Sequence, residues 1–244
     1  MEGYDAFVHL SGESINGRWT SSKKKKIIDS RIIPTRFLAE CLSKLKNPPK
    51  SFISASAIGY YGNRGDEELT EQSSAGTGFL AEVCKAWEAE TKPIREKGIR
   101  VVNVRTGLVL SPEGGALKEL LPPFKLGVGG IVGSGKQWWS WITLNDLLRT
   151  YQFAIEKESV KDAINAAAPN PVTNKAFVKV LGKALHRPSI FPLPSFIVKF
   201  IFGEMGEELL LDGQRVIPSK LIEAGFQFEQ TELEPALKRI LSEP

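Results

Sequence analysis

At 244 residues the chain can build one large domain, or one domain with a small appendage, and 42% hydrophobic with 25% charged residues excludes disordered and fibrous classes. The formal net charge of +4 would suit an anionic partner, but no nucleic-acid-binding module accompanies it. Two cysteines, Cys41 and Cys84, and two histidines, His9 and His186, leave no basis for a disulfide framework or a zinc site, so no metal is expected.

In chain order, Asp5–Leu10 is a short apolar run ending in Ser11-Gly12, which predicts a buried strand followed at once by a loop. Ser21–Lys46 reads as a long helix with a kink at Pro34. Its dense run Lys23–Lys26 precedes apolar residues at helical spacing (Ile27, Ile28, Ile32, Ile33, Phe37, Leu38), so the lysines read as a solvated helix face. Ser51–Ser56 is the next strand. Leu80, Val83, Cys84, Trp87 and Ile94 then mark one helical face, and Ile99–Arg105 is a third, Val-rich strand. The cysteines fall within apolar helical patterns and read as buried thiols. Residues 111–140 are rich in Gly and Pro and read as irregular loops around one short helix. Trp138–Ile142 is predicted as a strand, Asn145-Asp146 as the cap of the following helix, Asp162–Ala167 as another strand, and Thr173 as the cap of a helix to Leu185. Short amphipathic helices follow, broken at Pro194, Gly213 and Pro218.

Strand–helix alternation implies parallel strands with right-handed crossovers, and in such sheets ligands lie beyond the carboxyl ends of the strands. Those ends are Leu10-Ser11-Gly12, Ser54-Ala55-Ser56 and Arg105-Thr106-Gly107. Their small residues let a flat ligand lie close to the backbone.

Three motifs fail. Gly130–Lys136 matches the opening of a phosphate-binding loop, but Gln137 stands where the magnesium-binding hydroxyl belongs, and tryptophans rather than a helix follow. No G-x-S-x-G elbow is present. The dinucleotide fingerprint G-x-G-x-x-G is absent from the N-terminus.

Ser54-Ala-Ser-Ala-Ile-Gly-Tyr-Tyr-Gly62 resembles the strand and loop that carry the active-site Ser of extended short-chain dehydrogenases. Phe7–Ser14, Ser30-Arg31, Gly78–Glu88, Arg105–Leu110, Gly133–Gly135, Trp141-Ile142, Asn145-Asp146, Ala168–Asn174, Gly203–Met205 and Gly213–Val216 extend the likeness in order. On these motifs the chain resembles the atypical, NAD-dependent epimerase/dehydratase-like branch, the sugar-nucleotide-epimerase-like proteins that end in a small C-terminal domain of unknown function.

The resemblance implies an α/β fold, a Rossmann-type parallel sheet with flanking helices that lacks its first βαβ strands, plus a small, mostly helical C-terminal region. It implies an incomplete NAD(P)-binding domain over residues 1–165, with an insert at about 111–140, and a second domain over 166–244. It also implies NADP or NAD as cofactor. Leu10, Ser11 and Gly12 would line it, with Arg31 on the helix behind. Ser54 and Ala55 would flank the nicotinamide, and Arg105, Gly107 and Leu108 would follow at that end. Ser56 would face the substrate as the hydroxyl that orients its oxygen, and Tyr60 or Tyr61 would serve either as a substitute acid or as packing near the turn. Arg18, Trp19, Gln137 and Trp138 would form the substrate wall.

Two departures stand out. Active members carry a Tyr with a Lys four residues later, the Lys lowering the phenol pKa. None of the four tyrosines here has that Lys, and Leu80–Cys84 occupies the place. The strand at Asp5 would be the family's fourth. An upstream extension of at least one βαβ unit, roughly 30 residues, is therefore expected, ahead of a natural truncation or a unit supplied by a partner chain. Without it the first strand is a bare apolar edge, and dinucleotide binding by the chain as given is expected to be weak or absent. The expected function is that of an NAD(P)-binding epimerase or oxidoreductase acting on a small hydroxylated or carbonyl substrate. The alternatives are a non-catalytic dinucleotide-binding sensor or scaffold, and an inactive fragment. Neither nucleic-acid nor membrane partners are expected, and a cytoplasmic location is.

Overall fold

The computed structural model describes residues 3–242. The first half runs β1 (Ala6–His9), α1 (Ser21–Ser43), β2 (Ser51–Ala57), β3 (Glu68–Leu69), α2 (Phe79–Ala89), α3 (Lys92–Glu96), β4 (Arg100–Thr106), β5 (Leu108–Leu110) and α4 (Gly115–Lys125). The second runs β6 (Trp138–Trp139), β7 (Trp141–Thr143), α5 (Leu144–Glu156), β8 (Asp162–Ala166), β9 (Val172–Thr173) and α6 (Asn174–Ala184). It closes with α7 (Ser195–Phe202), α8 (Glu204–Gly206), β10 (Arg215–Val216), α9 (Ser219–Glu223) and α10 (Leu233–Ser242). A single 3₁₀ turn, Ile58–Tyr61, follows β2, and a π-helical turn, Glu207–Leu211, follows α8.

One sheet organises the molecule: β1, β2, β4 and β8 lie side by side in that order, all parallel. Its inner strands are buried on both faces, which is why they read as continuous apolar or small-residue runs rather than alternating ones. On one face Phe52, Ile99 and Val101 pack with Ile94 and with Ala39 and Leu42 of α1. On the other, Ile53, Val102, Val104 and Ile164 pack with Ala154 of α5 and with Leu221 and Phe226. A separate core joins Leu117, Trp139, Trp141, Phe177, Leu181 and Leu237.

Several predicted boundaries are corrected. α1 ends at Ser43 and runs through Pro34 without interruption. The helix expected from Leu80 to Ile94 is two helices, because α2 ends at Ala89 and Pro93 restarts the chain in α3. Trp138–Ile142 is two short strands in different ribbons, separated by Ser140. The cap of α5 is Thr143, whose hydroxyl accepts from the Asp146 amide, and Asn145-Asp146 lie within the helix. Thr173 caps α6 as expected, accepting from the Ala176 amide. Cys84 is buried but Cys41 is only half-buried. Among the described residues no helix is long and apolar enough to cross a membrane.

β1 is an edge of the sheet among the described residues, as expected. Val8 and Leu10 are exposed there, and on α1 so are Ile33 and Phe37.

Candidate functional site

The carboxyl ends of β1, β2 and β4 open onto one side of the sheet. Leu10, Ser11 and Gly12 are exposed there, Ala55 and Ala57 half-buried, and Ser54, Ser56 and Arg105 buried beneath. β2 turns away through Ile58–Tyr61 into Gly62, which has a φ of +59°. A Cβ on Gly62 would stand 2.5 Å from the Thr77 carbonyl oxygen, so this turn requires glycine.

Under that opening lies a buried ion pair. Arg105 Nε and Nη2 each donate at 2.8 Å to the two carboxylate oxygens of Glu88 on α2. The Ser56 hydroxyl donates to Glu88 Oε1 at 2.7 Å. Arg105 Nη1 donates at 3.0 Å to the Tyr61 hydroxyl, which donates at 2.7 Å to Asn165 Oδ1. Burial pulls the Arg105 guanidinium down, and the Glu88 carboxylate, aided by Tyr61, overrides it and holds the pKa above the ordinary value. Burial pushes the Tyr61 phenol up to about 12 against the opposing pull of Arg105 and Asn165. Ser56 and Tyr61 therefore each spend their proton on a buried acceptor. Tyr60 differs. It is half-buried, its ring lies 3.4 Å from the Arg105 guanidinium carbon, and its hydroxyl has no hydrogen-bond partner among the described residues.

A second network supports the end of β1. The Thr35 hydroxyl donates to the Arg31 carbonyl at 2.6 Å and accepts from Trp87 Nε1 at 3.0 Å. Its single proton is thus committed, so His9 Nε2, 3.0 Å away, must be the donor. His9 Nδ1 is then an acceptor, and it faces the Ser11 hydroxyl at 3.4 Å. Burial lowers the His9 pKa, in keeping with this neutral tautomer. Arg31 lies over the Trp87 ring, 5.2 Å from its centroid, and its guanidinium carbon sits 3.2 Å from where a Cβ on Gly12 would be.

The face of α2 turned toward the end of β2 carries no proton donor of the phenol type. Leu80 lies against Gly59, and the buried Cys84 thiol meets the Ala57 backbone. Burial, with the Glu88 charge adding, pushes that thiol to about 12. The N-terminus of α2 is held from the other end of the chain: both carboxylate oxygens of Glu208 accept from the Phe79 and Leu80 amides at 2.7 and 2.9 Å.

The four substrate-wall candidates fall into different surroundings. Arg18 is exposed, its Nε 3.9 Å from the Cβ position of Gly203. Trp19 is buried with Ile27, Val83 and Met205, and its indole nitrogen donates to the Ile15 carbonyl. The Gln137 amide ties the Val132 and Leu210 carbonyls together. Trp138 donates to Asp66 and lies under the Arg215 guanidinium. Gly107 packs tightly, its Cβ position 2.6 Å from the Ser140 carbonyl oxygen, and Leu108 beside it is half-buried. Glu88, Glu208 and Asn165 were not singled out in the sequence. A carboxylate four residues after Cys84, on the same apolar helix face, was the available signal for Glu88. Among the described residues no group of His, Cys, Asp or Glu side chains could hold a metal ion.

Comparison with known proteins decides the family. The model of the NAD dependent epimerase/dehydratase family matches residues 1–167. The chain belongs to this family. A domain of unknown function (DUF1731) matches residues 193–240. Epimerase family protein Mb2239 of Mycobacterium bovis is 45% identical over 241 residues, 98% of this chain and 79% of that protein. Human epimerase family protein SDR39U1 is 38% identical over 98% of this chain and 82% of its own length. The crystal structure of human SDR39U1 (isoform 2) with NADPH superposes with a TM-score of 0.95 at 35% identity, covering all of this chain and 84% of that one. The expected Rossmann-type epimerase fold and the atypical short-chain dehydrogenase resemblance are both borne out.

Proposed function

We propose that the protein is an NADP(H)-using epimerase-family enzyme acting on a small hydroxylated or carbonyl substrate at the carboxyl ends of β1, β2 and β4. The observation that carries this reading is the half-buried Tyr60, set on the buried Arg105–Glu88 pair with its hydroxyl unspent. The opening fits a dinucleotide: Leu10, Ser11 and Gly12 are exposed, and Gly12 leaves free the space that a Cβ would fill against Arg31. The solved relative with NADPH supports that choice of cofactor.

Leu10, Ser11, Gly12 and Ala55 would hold the cofactor, with Arg31 behind Gly12. A dinucleotide bound there would supply or accept the hydride. Ser54 is buried under the β2 end and shapes the opening from below. Ser56, Arg105 and Glu88 act as the fixed polar floor that positions the Tyr60 ring. The Tyr60 hydroxyl exchanges a proton with the substrate oxygen, the role of a general acid or base. Arg18, Gln137 and Trp138 bound the substrate side.

The test is NADPH binding, together with NADPH oxidation over a panel of small carbonyl compounds. Tyr60→Phe is expected to lose about 10²-fold or more in turnover, the usual weight of acid–base catalysis, with NADPH affinity unchanged. A second reading, a non-catalytic dinucleotide sensor, is favoured by Leu80 and Cys84 facing the β2 end and by the spent protons of Ser56 and Tyr61. Tight NADPH binding with no turnover, and no effect of Tyr60→Phe, selects that reading.

A further inference from the structure

α7 is apolar on both of its faces, and only one of them is covered. Val198 and Phe202, four residues apart, turn inward: Val198 is fully buried, and Phe202 packs with Trp19, Ile27 and Met205. Phe196 and Phe200, also four apart but offset by two residues, lie on the opposite side and are 71% and 82% exposed. The loop before α7 continues this surface. Ile190 and Phe191 are exposed there, beside exposed Leu126 and Val128 after α4. The two segments are tied together along their length. Arg187 Nε donates to the Lys125 carbonyl at 3.0 Å, the Phe191 amide to the Gly129 carbonyl at 3.4 Å and the Leu193 amide to the Ile131 carbonyl at 2.8 Å. α7 opens directly after them, at Ser195. A contiguous exposed apolar group of this kind marks an interaction surface.

The charges around it have one sign. Residues 120–145 and 163–203, which supply the whole patch, hold seven Lys or Arg and no Asp or Glu, so all 28 acidic residues of the chain lie outside them. Lys125 is exposed at the edge of the patch and has no ion-pair partner among the described residues. Arg187, also exposed, bonds only carbonyls, those of Lys125 and His186. Lys199 stands between the two phenylalanines and meets Glu207 at 2.7 Å. Both ends of that pair lie in solvent, where an ion pair is weak and open to exchange.

A second copy set face to face on this patch would bring Lys125 and Arg187 against their own like charges. A protein partner would find few hydrogen bonds at its centre, because the Leu, Val, Ile and Phe side chains offer none. A lipid surface asks for neither: acyl chains take up the apolar side chains, and anionic headgroups meet the basic rim. We propose that this face docks peripherally on an anionic phospholipid surface, with Phe191, Phe196 and Phe200 entering the boundary between headgroups and acyl chains. Lys125, Arg187 and Lys199 meet the headgroups. The lack of a spanning helix among the described residues, which underlies the expectation of no membrane partner, does not bear on a helix that lies on the surface.

The test floats the full chain with vesicles of phosphatidylcholine alone, or with about 30% phosphatidylserine added. Binding to the anionic vesicles is expected, weakening as salt is raised. Phe196→Ser with Phe200→Ser should lower the partition coefficient about tenfold or more, and Lys125→Gln with Lys199→Gln about tenfold. All four side chains are exposed, so thermal melts of both variants should match the parent. Phe191→Ser, in the adjoining loop, serves if the helix pair lowers the melting temperature. No binding to either vesicle, equal binding to both, or undiminished binding of the phenylalanine variant overturns the proposal. Without vesicle binding, a shift toward monomer in the phenylalanine variant gives the face to a second copy, and lysine-dependent retention on polyglutamate gives it to an acidic protein.

Discussion

At the scale of single residues, the Arg105–Glu88 pair has the most stability at stake. Its side chains are only 5% and 13% exposed, so neither charge can turn to bulk water if the other is removed. Glu88→Ala leaves a buried guanidinium with the Tyr61 hydroxyl and the Tyr60 ring but no counter-charge and is expected to lower unfolding stability by about 3–5 kcal/mol. Replacing both partners, as in Glu88→Leu with Arg105→Met, should restore much of that loss, because no charge then remains unpaired. Urea unfolding of the two single variants and the double variant checks it, and a simply additive loss would contradict it. His9 carries a pH signature of a different kind. Burial lowers its folded pKa, so the unfolded chain takes up the proton more readily. Stability contributed by neutral His9 is therefore complete above the unfolded value of about 6.5 and falls as pH drops through that value toward the folded one. The urea midpoint should hold above about pH 6.5 and decline as pH falls below it, and His9→Asn should flatten that decline.

At the scale of elements, α2 shows what a sequence discloses and what it withholds. Its apolar stripe was legible, because Leu80, Val83, Cys84 and Trp87 repeat at the helical period. Its start was not, since Gly78 offers no side-chain cap and the acceptor is Glu208, 130 residues downstream. The same division holds elsewhere. β2 and β4 were found because each is a seven-residue buried run, whereas β3, β9 and β10 have two residues each and no period to detect. Arg105 was visible as a strand-end residue, but its pairing with Glu88 comes from the packing of α2 under the sheet, which local spacing does not encode. The Glu208 cap carries its own expectation. Glu208→Ala removes two charge-assisted hydrogen bonds from the first turn of α2, costing about 0.5–2 kcal/mol. Hydrogen exchange should then quicken at the Phe79 and Leu80 amides while the β2 and β4 amides stay protected. Uniform loss of protection would mean that the carboxylate supports the whole fold rather than one helix end.

At the scale of the whole molecule, the apolar surface is unevenly distributed. One exposed group lies along the β1 edge and the outer side of α1, with Val8, Leu10, Ile33 and Phe37; another lies on α7, with Phe196, Phe200 and Ile201. The first group adjoins backbone groups of β1 that no further strand pairs among the described residues, so it offers both apolar area and a hydrogen-bonding template. α7 offers apolar area alone, since its backbone bonds are closed within the helix. An edge that joins both terms is the stronger driver of self-association. The chain is therefore expected to associate with rising concentration through β1. Val8→Lys with Phe37→Glu should shift sedimentation-velocity profiles toward monomer, because a lysine on an edge strand and a buried-interface charge both oppose strand addition. Phe196→Ser with Phe200→Ser should leave the profiles unchanged. If the second pair produces the monomer and the first does not, association runs through α7, and the backbone edge of β1 contributes nothing measurable to it.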